Sequence, residues 1–145
     1  MIVPNLLLGM AGGIQYRALL KATKNPRKAS ENTLREILTY AKDTVYGKEH
    51  KFEYILEATN DTELYKRYRE QVKPNEYEDL RPYVERHKHG ETDILFPGKP
   101  VLYATTSGST AEPKWIPTTE RYLKTIYGKK TKVWIYNFLQ NRHKE

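Results

Sequence analysis

Cysteine is absent from the 145 residues, which excludes disulfides, thiolate metal ligands and a thiol nucleophile. That absence fits a reducing, cytoplasmic setting. Long apolar runs are missing as well. The most apolar stretch, residues 1–14, is interrupted by Pro4 and Asn5 and lacks the basic start of a secretory signal. It also falls short of the ~20 apolar residues that span a bilayer. No membrane association is expected, and the stretch reads as a buried or partner-facing helix. Internal repeats and low-complexity tracts are absent, and the length holds no second full domain. What is there suits one globular segment, since 38% hydrophobic residues can build a core and 30% charged residues can cover it.

Acidic residues are scarce beyond residue 112. Residues 1–112 set 17 basic against 16 acidic side chains, whereas residues 113–145 set 8 against 2, so the net charge of +7 is a C-terminal property. Such asymmetry is expected of an anion-binding surface, or of a chain whose acidic partners lie on further chain outside this sequence.

Periodicity predicts helices first. Gln15 to Lys24 is helical and ends at Asn25-Pro26, because a residue before proline avoids the helical region. Ser30 can cap a second helix whose stripe is Leu34, Ile37, Leu38, Ala41 and Val45, closed by Gly47. Phe52 to Leu56 is a short apolar run. Asn60-Asp61 offers a cap for a helix from Thr62 to about Gln71, and another is expected from Pro82 to His89, with the proline in its first turn and Gly90 as its left-handed stop. After Asp93-Ile94-Leu95-Phe96 and the turn pair Pro97-Gly98, Val101 to Thr105 reads as a buried strand. Trp115-Ile116 resumes an extended run that Pro117 stops. Thr118 or Thr119 can cap a last helix with Leu123, Ile126, Tyr127, Trp134 and Phe138 on one side and a weak point at Gly128-Lys129-Lys130. The chain is thus expected to be mainly α with one or two strands: helical over 1–90, strand, loop and strand over 91–117, and helix over 118–141, as a partial domain.

Between the two extended runs lies Thr106-Ser107-Gly108-Ser109-Thr110-Ala111-Glu112-Pro113-Lys114. Hydroxyl donors, backbone N–H groups made approachable by a glycine, and one cation are the complement of a polyphosphate. The candidate phosphate-binding residues are therefore Thr106, Ser107, Gly108, Ser109, Thr110 and Lys114. This is not a Walker A loop, which opens a helix directly after its lysine; here Trp115-Ile116-Pro117 follows. Glu112 reads as a solvated carboxylate. His50, His87, His89 and His143 lack metal-ligand spacing, so no metal site is expected. Tyr77, Tyr83 and Tyr103 read as core or interface aromatics, and Lys124, Lys129, Lys130 and Lys132 as a solvated helix face.

The loop resembles the T-S-G-T-T-G-x-P-K phosphate loop of the adenylate-forming superfamily of acyl and aryl acid ligases. It departs from that pattern in having Ser109 for threonine and Ala111 for the second glycine. More narrowly, Leu34-Arg35-Glu36-Ile37-Leu38 with Thr44-Val45-Tyr46-Gly47, then Tyr77 to Arg86, then the loop with Ile116-Pro117, resemble in order the N-terminal part of the auxin-responsive acyl acid–amido synthetases and their bacterial relatives, over about residues 30–140. The resemblance implies an N-terminal piece of an α/β adenylate-forming fold. It also implies ATP and Mg²⁺ as cofactors, a carboxylic acid activated as an acyl adenylate, and an amine or amino acid acceptor. The loop would neutralise the β- and γ-phosphates so that an anionic carboxylate can approach the α-phosphorus. No acidic ligand for Mg²⁺ and no catalytic residue is assigned. Family members are several times longer, so this segment alone is expected to be inactive and to need further C-terminal chain. An acyl-CoA ligase fragment is the alternative enzyme. A small basic module docking residues 113–145 on nucleic acid or an acidic protein is the alternative of another class; it leaves the ordered family-like segments unexplained, so nucleic acid is not an expected partner.

Overall fold

The computed structural model describes the backbone of residues 2–106 and 112–141, and the side chains of residues 10–106 and 112–141. The described residues are mainly helical, with one two-stranded antiparallel sheet, as the sequence pattern predicts. They divide into two units, residues 30–119 and residues 1–29 with 120–145.

In the first unit, helix α2 runs over Pro26–Ala41, following α1 at Ile2–Thr23. The expected cap at Ser30 is an interior position instead. The helix opens at Asn25, whose Oδ1 accepts the Lys28 N–H at 3.0 Å, because Asn followed by Pro at the first helical position is the stronger start signal. The expected stripe is only partly buried. Leu38 is 0% exposed and Ala41 is buried, but Ile37 is 54% exposed, and the helix ends before Val45. There Thr44 starts α3 (Val45–Glu49), accepting the Gly47 N–H at 3.0 Å and donating to the Ala41 carbonyl at 2.7 Å. The apolar run after it forms α4 (Phe52–Leu56). Phe52, Ile55 and Ala58 close with Leu64 of α5 (Asp61–Gln71) over Leu38 and Ala41 to form the core. Asn60 caps α5 as expected, accepting the Glu63 N–H at 2.9 Å.

Arg35 ties these helices together. Its Nη1 and Nη2 donate to the carbonyls of Leu56 and Ala58 at 3.3 and 2.9 Å, and its Nε donates to buried Glu31 at 3.0 Å. The planar fork thereby satisfies carbonyls at the open C-terminal end of α4. Arg35→Lys should lower stability by about 1–2 kcal/mol, because one ammonium cannot span both carbonyls; urea unfolding of the two proteins measures this.

Helix α6 (Tyr77–Lys88) starts earlier than the sequence suggests, since Glu76 and Asp79 form a capping box with Glu76 N–H donating to Asp79 at 2.8 Å. Pro82 consequently lies inside the helix rather than in its first turn. Gly90 ends it with φ of 92°, as expected. The segment that follows is fastened by His87, which is 3% exposed. Its Nε2 accepts the Leu95 N–H at 3.2 Å, its Nδ1 lies 3.3 Å from the Glu91 carbonyl, and its ring stacks on Phe96 at 4.5 Å. Those partners require the neutral ring with hydrogen on Nδ1.

Burial pushes the His87 pKa below its ordinary 6.5. Between the folded and unfolded values the unfolded chain binds more protons, so this contribution to stability is complete above about pH 6.5 and is lost as pH falls through the folded-state value. The melting temperature should accordingly fall between pH 7.5 and pH 5, and His87→Gln should flatten that dependence; equal slopes for both proteins would contradict it.

Strands β1 (Leu102–Thr105) and β2 (Trp115–Thr118) pair antiparallel, with Thr105 opposite Trp115 and Leu102 opposite Thr118. Two expectations are corrected here. β1 is largely exposed rather than buried, because among the described residues a single partner strand stands beside it. Pro117 does not stop β2: the ladder uses the carbonyls of Lys114 and Thr118, so the missing N–H of Pro117 faces away from β1, where a strand tolerates proline.

In the second unit, α1 packs on α7 (Gly128–Asn141). Backbones approach closely at Gly12, where a methyl would stand 2.6 Å from Tyr136 Cβ and 2.7 Å from the Lys132 carbonyl oxygen, and Tyr16 meets Tyr136 at 5.3 Å. Ahead of α7 the helix runs as a π-helical turn, Tyr122–Tyr127, so Gly128 marks a change of winding within a continuous helix. On the stripe expected along one side of this helix, Ile126, Tyr127, Trp134 and Phe138 are all exposed, whereas Tyr136 meets α1 at Gly12 and Tyr16. This unit holds 12 basic and 2 acidic residues, whereas residues 30–119 hold 13 and 16. The excess positive charge therefore belongs to this unit, with contributions from both ends of the sequence. No described helix is long and apolar enough to cross a membrane.

Candidate functional site

The hairpin brings the two ends of the Ser/Thr/Gly segment together. Thr106 N–H donates to the Lys114 carbonyl at 3.2 Å, so the residues expected to bind phosphate leave and re-enter at one point. Thr106 and Lys114 are both exposed there. Ser107, Gly108, Ser109 and Thr110, with Ala111, lie outside the described residues.

One face of α6 forms the wall beside this point. Tyr77, Arg81, Glu85 and Lys88 recur at helical spacing, and three of them reach the hairpin. The Tyr77 hydroxyl accepts the Trp115 N–H at 2.7 Å and donates to the Trp115 carbonyl at 3.2 Å. Arg81 lies over the Tyr77 ring at 5.0 Å, holds Glu78 through Nε and Nη2 at 2.6 and 2.9 Å, and reaches Glu112 with Nη1 at 3.3 Å. Its hydrogen bonds to Glu78 raise its already high pKa further. Lys88 Nζ sits 5.0 Å over the Trp115 ring, and Lys114 Nζ 5.6 Å over that of Tyr77. Tyr103 stands edge-on to Trp115 at 6.2 Å, and burial pushes its phenol pKa up.

These positions refine the reading of individual residues. Tyr77 and Tyr103 are interface aromatics, as expected. Tyr83 is bound elsewhere, donating to Glu49 at 2.5 Å, which pushes its pKa up to about 12. Glu112 is exposed but ion-paired with Arg81 rather than simply solvated. Sequence reasoning passed over Arg81 and Lys88, although their helical spacing from Tyr77 was the available signal. Among the described residues, no group of three or more His, Asp or Glu side chains could hold a metal ion. The same region offers exposed cations and hydroxyls beside a strand end, which suits an anion.

Against known proteins, residues 15–145 match the GH3 family N-terminal domain. The chain belongs to the GH3 family. It is 35% identical over 89 residues to a probable indole-3-acetic acid-amido synthetase, GH3.13, of Oryza sativa subsp. japonica, covering 60% of this chain. It is 31% identical over 103 residues to an indole-3-acetic acid-amido synthetase, GH3.2, of Arabidopsis thaliana, covering 70% of this chain. Each match takes in 18% of the relative's own length, so this GH3 chain spans less than a fifth of the curated relatives it matches. No solved structure matches it.

Proposed function

We propose that this GH3 chain is the N-terminal segment of an ATP-dependent ligase that adenylates a carboxylic acid and transfers the acyl group to an amine or amino acid. Membership of a family whose matched relatives are named amido synthetases carries the reading. The hairpin supports the phosphate role, because it brings Thr106 and Lys114, the two ends of the hydroxyl-rich segment, together at one exposed strand end. Thr106, Ser107, Gly108, Ser109, Thr110 and Lys114 would hold the β- and γ-phosphates of ATP, with Lys114 supplying a compact charge. The exposed Trp134 and Phe138 support the reading that the segment packs against further chain of such an enzyme, and the absence of cysteine supports a reducing, cytoplasmic setting.

The test is a chimera in which residues 30–145 replace the matching part of the rice relative, assayed for exchange of labelled pyrophosphate into ATP that depends on indole-3-acetic acid. Exchange is expected. Lys114→Ala with Ser107→Ala should lower it about 100-fold, and undiminished exchange would overturn the loop assignment. Amide formation with amino acids but no thioester with coenzyme A separates this reading from an acyl-CoA ligase.

A further inference from the structure

The backbone of β2 presents its groups to two sides. The carbonyls of Lys114 and Thr118 accept from Thr106 and Val101 at the two ends of β1, so the N–H and C=O of Trp115 face outward, as on an open sheet edge. The Tyr77 hydroxyl meets both, at 2.7 and 3.2 Å. A single phenol on α6 thus stands in for a third strand at the position where the Ser/Thr/Gly segment rejoins the sheet. Its ring also lies beneath Arg81 at 5.0 Å and Lys114 at 5.6 Å, within the range at which a ring face attracts a cation. Arg81, whose fork is fixed on Glu78 at 2.6 and 2.9 Å, turns its remaining Nη1 to Glu112 at 3.3 Å. Glu112, Lys114 and Trp115 are therefore each held by Tyr77 or Arg81. Two carboxylates already engage the Arg81 charge, which suits this guanidinium to holding protein groups rather than to binding a ligand anion.

We infer that Tyr77 and Arg81 are positioning residues for the phosphate segment: they anchor its C-terminal end to α6 and set where the Lys114 ammonium is presented. The value of that placement rests on the phosphate reading proposed above; the anchoring rests on the contacts themselves. Tyr77 acts through the Trp115 backbone and its ring face, Arg81 through its planar fork.

The experiment uses the 145-residue chain, isotope-labelled, with inorganic tripolyphosphate as the probe and circular dichroism to confirm that each variant keeps its helices. Tyr77→Phe keeps the ring and removes the hydroxyl. It should speed hydrogen exchange at the Trp115 amide about tenfold and weaken tripolyphosphate binding about fivefold, the loss of one to two ordinary hydrogen bonds. Lys114→Met should weaken binding, and adding Tyr77→Phe to it should cost nothing more, because the two changes act through one group. Arg81→Lys should weaken binding as much as Arg81→Gln, since the fork and not the charge does the positioning.

An additive loss in the double variant, or full rescue by Arg81→Lys, would overturn the inference. If the unaltered chain binds no tripolyphosphate, the phosphate reading falls on that result alone. The anchoring is then decided by the exchange measurement, where an unchanged Trp115 rate in Tyr77→Phe overturns it.

Discussion

Gly47→Ala should destabilise the unit of residues 30–119 by about 3 kcal/mol or more. At this size that lowers the melting temperature by roughly 12 °C or more. The cause is steric. A Cβ at position 47 would fall inside van der Waals contact with the Ala41 carbonyl oxygen and within 2.9 and 3.0 Å of the carbonyl carbons of Ala41 and Lys42. These are backbone atoms at the end of α2, and they cannot swing aside as a flexible side chain would. The Ala41 carbonyl is also engaged, accepting from the Thr44 hydroxyl at 2.7 Å and the Thr44 N–H at 3.1 Å. Moving it breaks the turn that joins α2 to α3. Alanine is the better helix former, so propensity alone would make the substitution favourable inside α3; the contact outweighs that gain several-fold. Thermal unfolding of both proteins decides the matter, and a change below about 1 kcal/mol would mean that the turn relaxes around the methyl.

Leu38→Ala should cost about 3 kcal/mol, within the usual range of about 2–5 for emptying a buried leucine site. Leu38 is 0% exposed, as are Ile55 and Leu64 in the same cluster. The cluster joins α2 to α4 and α5, so the space cannot close by a small shift of one helix alone. Its neighbour supplies the contrast. Ile37 is 54% exposed, and Ile37→Ala should stay within about 0.5 kcal/mol. Urea denaturation of the pair tests which side of α2 the fold buries, and equal effects at the two positions would contradict the packing.

That contrast shows where the sequence was legible. Helical periodicity identified α2, Asn60 announced α5, and Gly90 announced the end of α6, because caps and stops act through their nearest backbone neighbours. The width of the buried stripe on α2 was not legible. Ile37 and Leu38 are equally apolar, and only the placement of α4 and α5 covers one of them. Ser30 is not a cap because Asn25-Pro26, which ends α1, also opens α2.

At the candidate site, residue chemistry was legible and its support was not. A cluster of hydroxyls, a glycine and a lysine signals phosphate binding by composition, and the order of the family-like segments points to the GH3 family. Nothing local says that Tyr77 and Trp115, 38 residues apart, share two hydrogen bonds, or that Glu112 pairs with Arg81.

By itself, the sequence determined the family, the helical character, the hydroxyl-rich segment between two strands, and the absence of any thiol chemistry, all of which reside in residue identity and short-range order. Only the tertiary structure decided that β1 stays exposed, that Trp134 and Phe138 are exposed, that both chain ends join in one unit with excess positive charge, and that Tyr77 of α6 bonds the backbone of the strand behind the hydroxyl-rich segment. The reason is physical. Exposure, charge clustering and anchoring depend on which distant surfaces meet, and that is set by packing rather than by any residue's own preference.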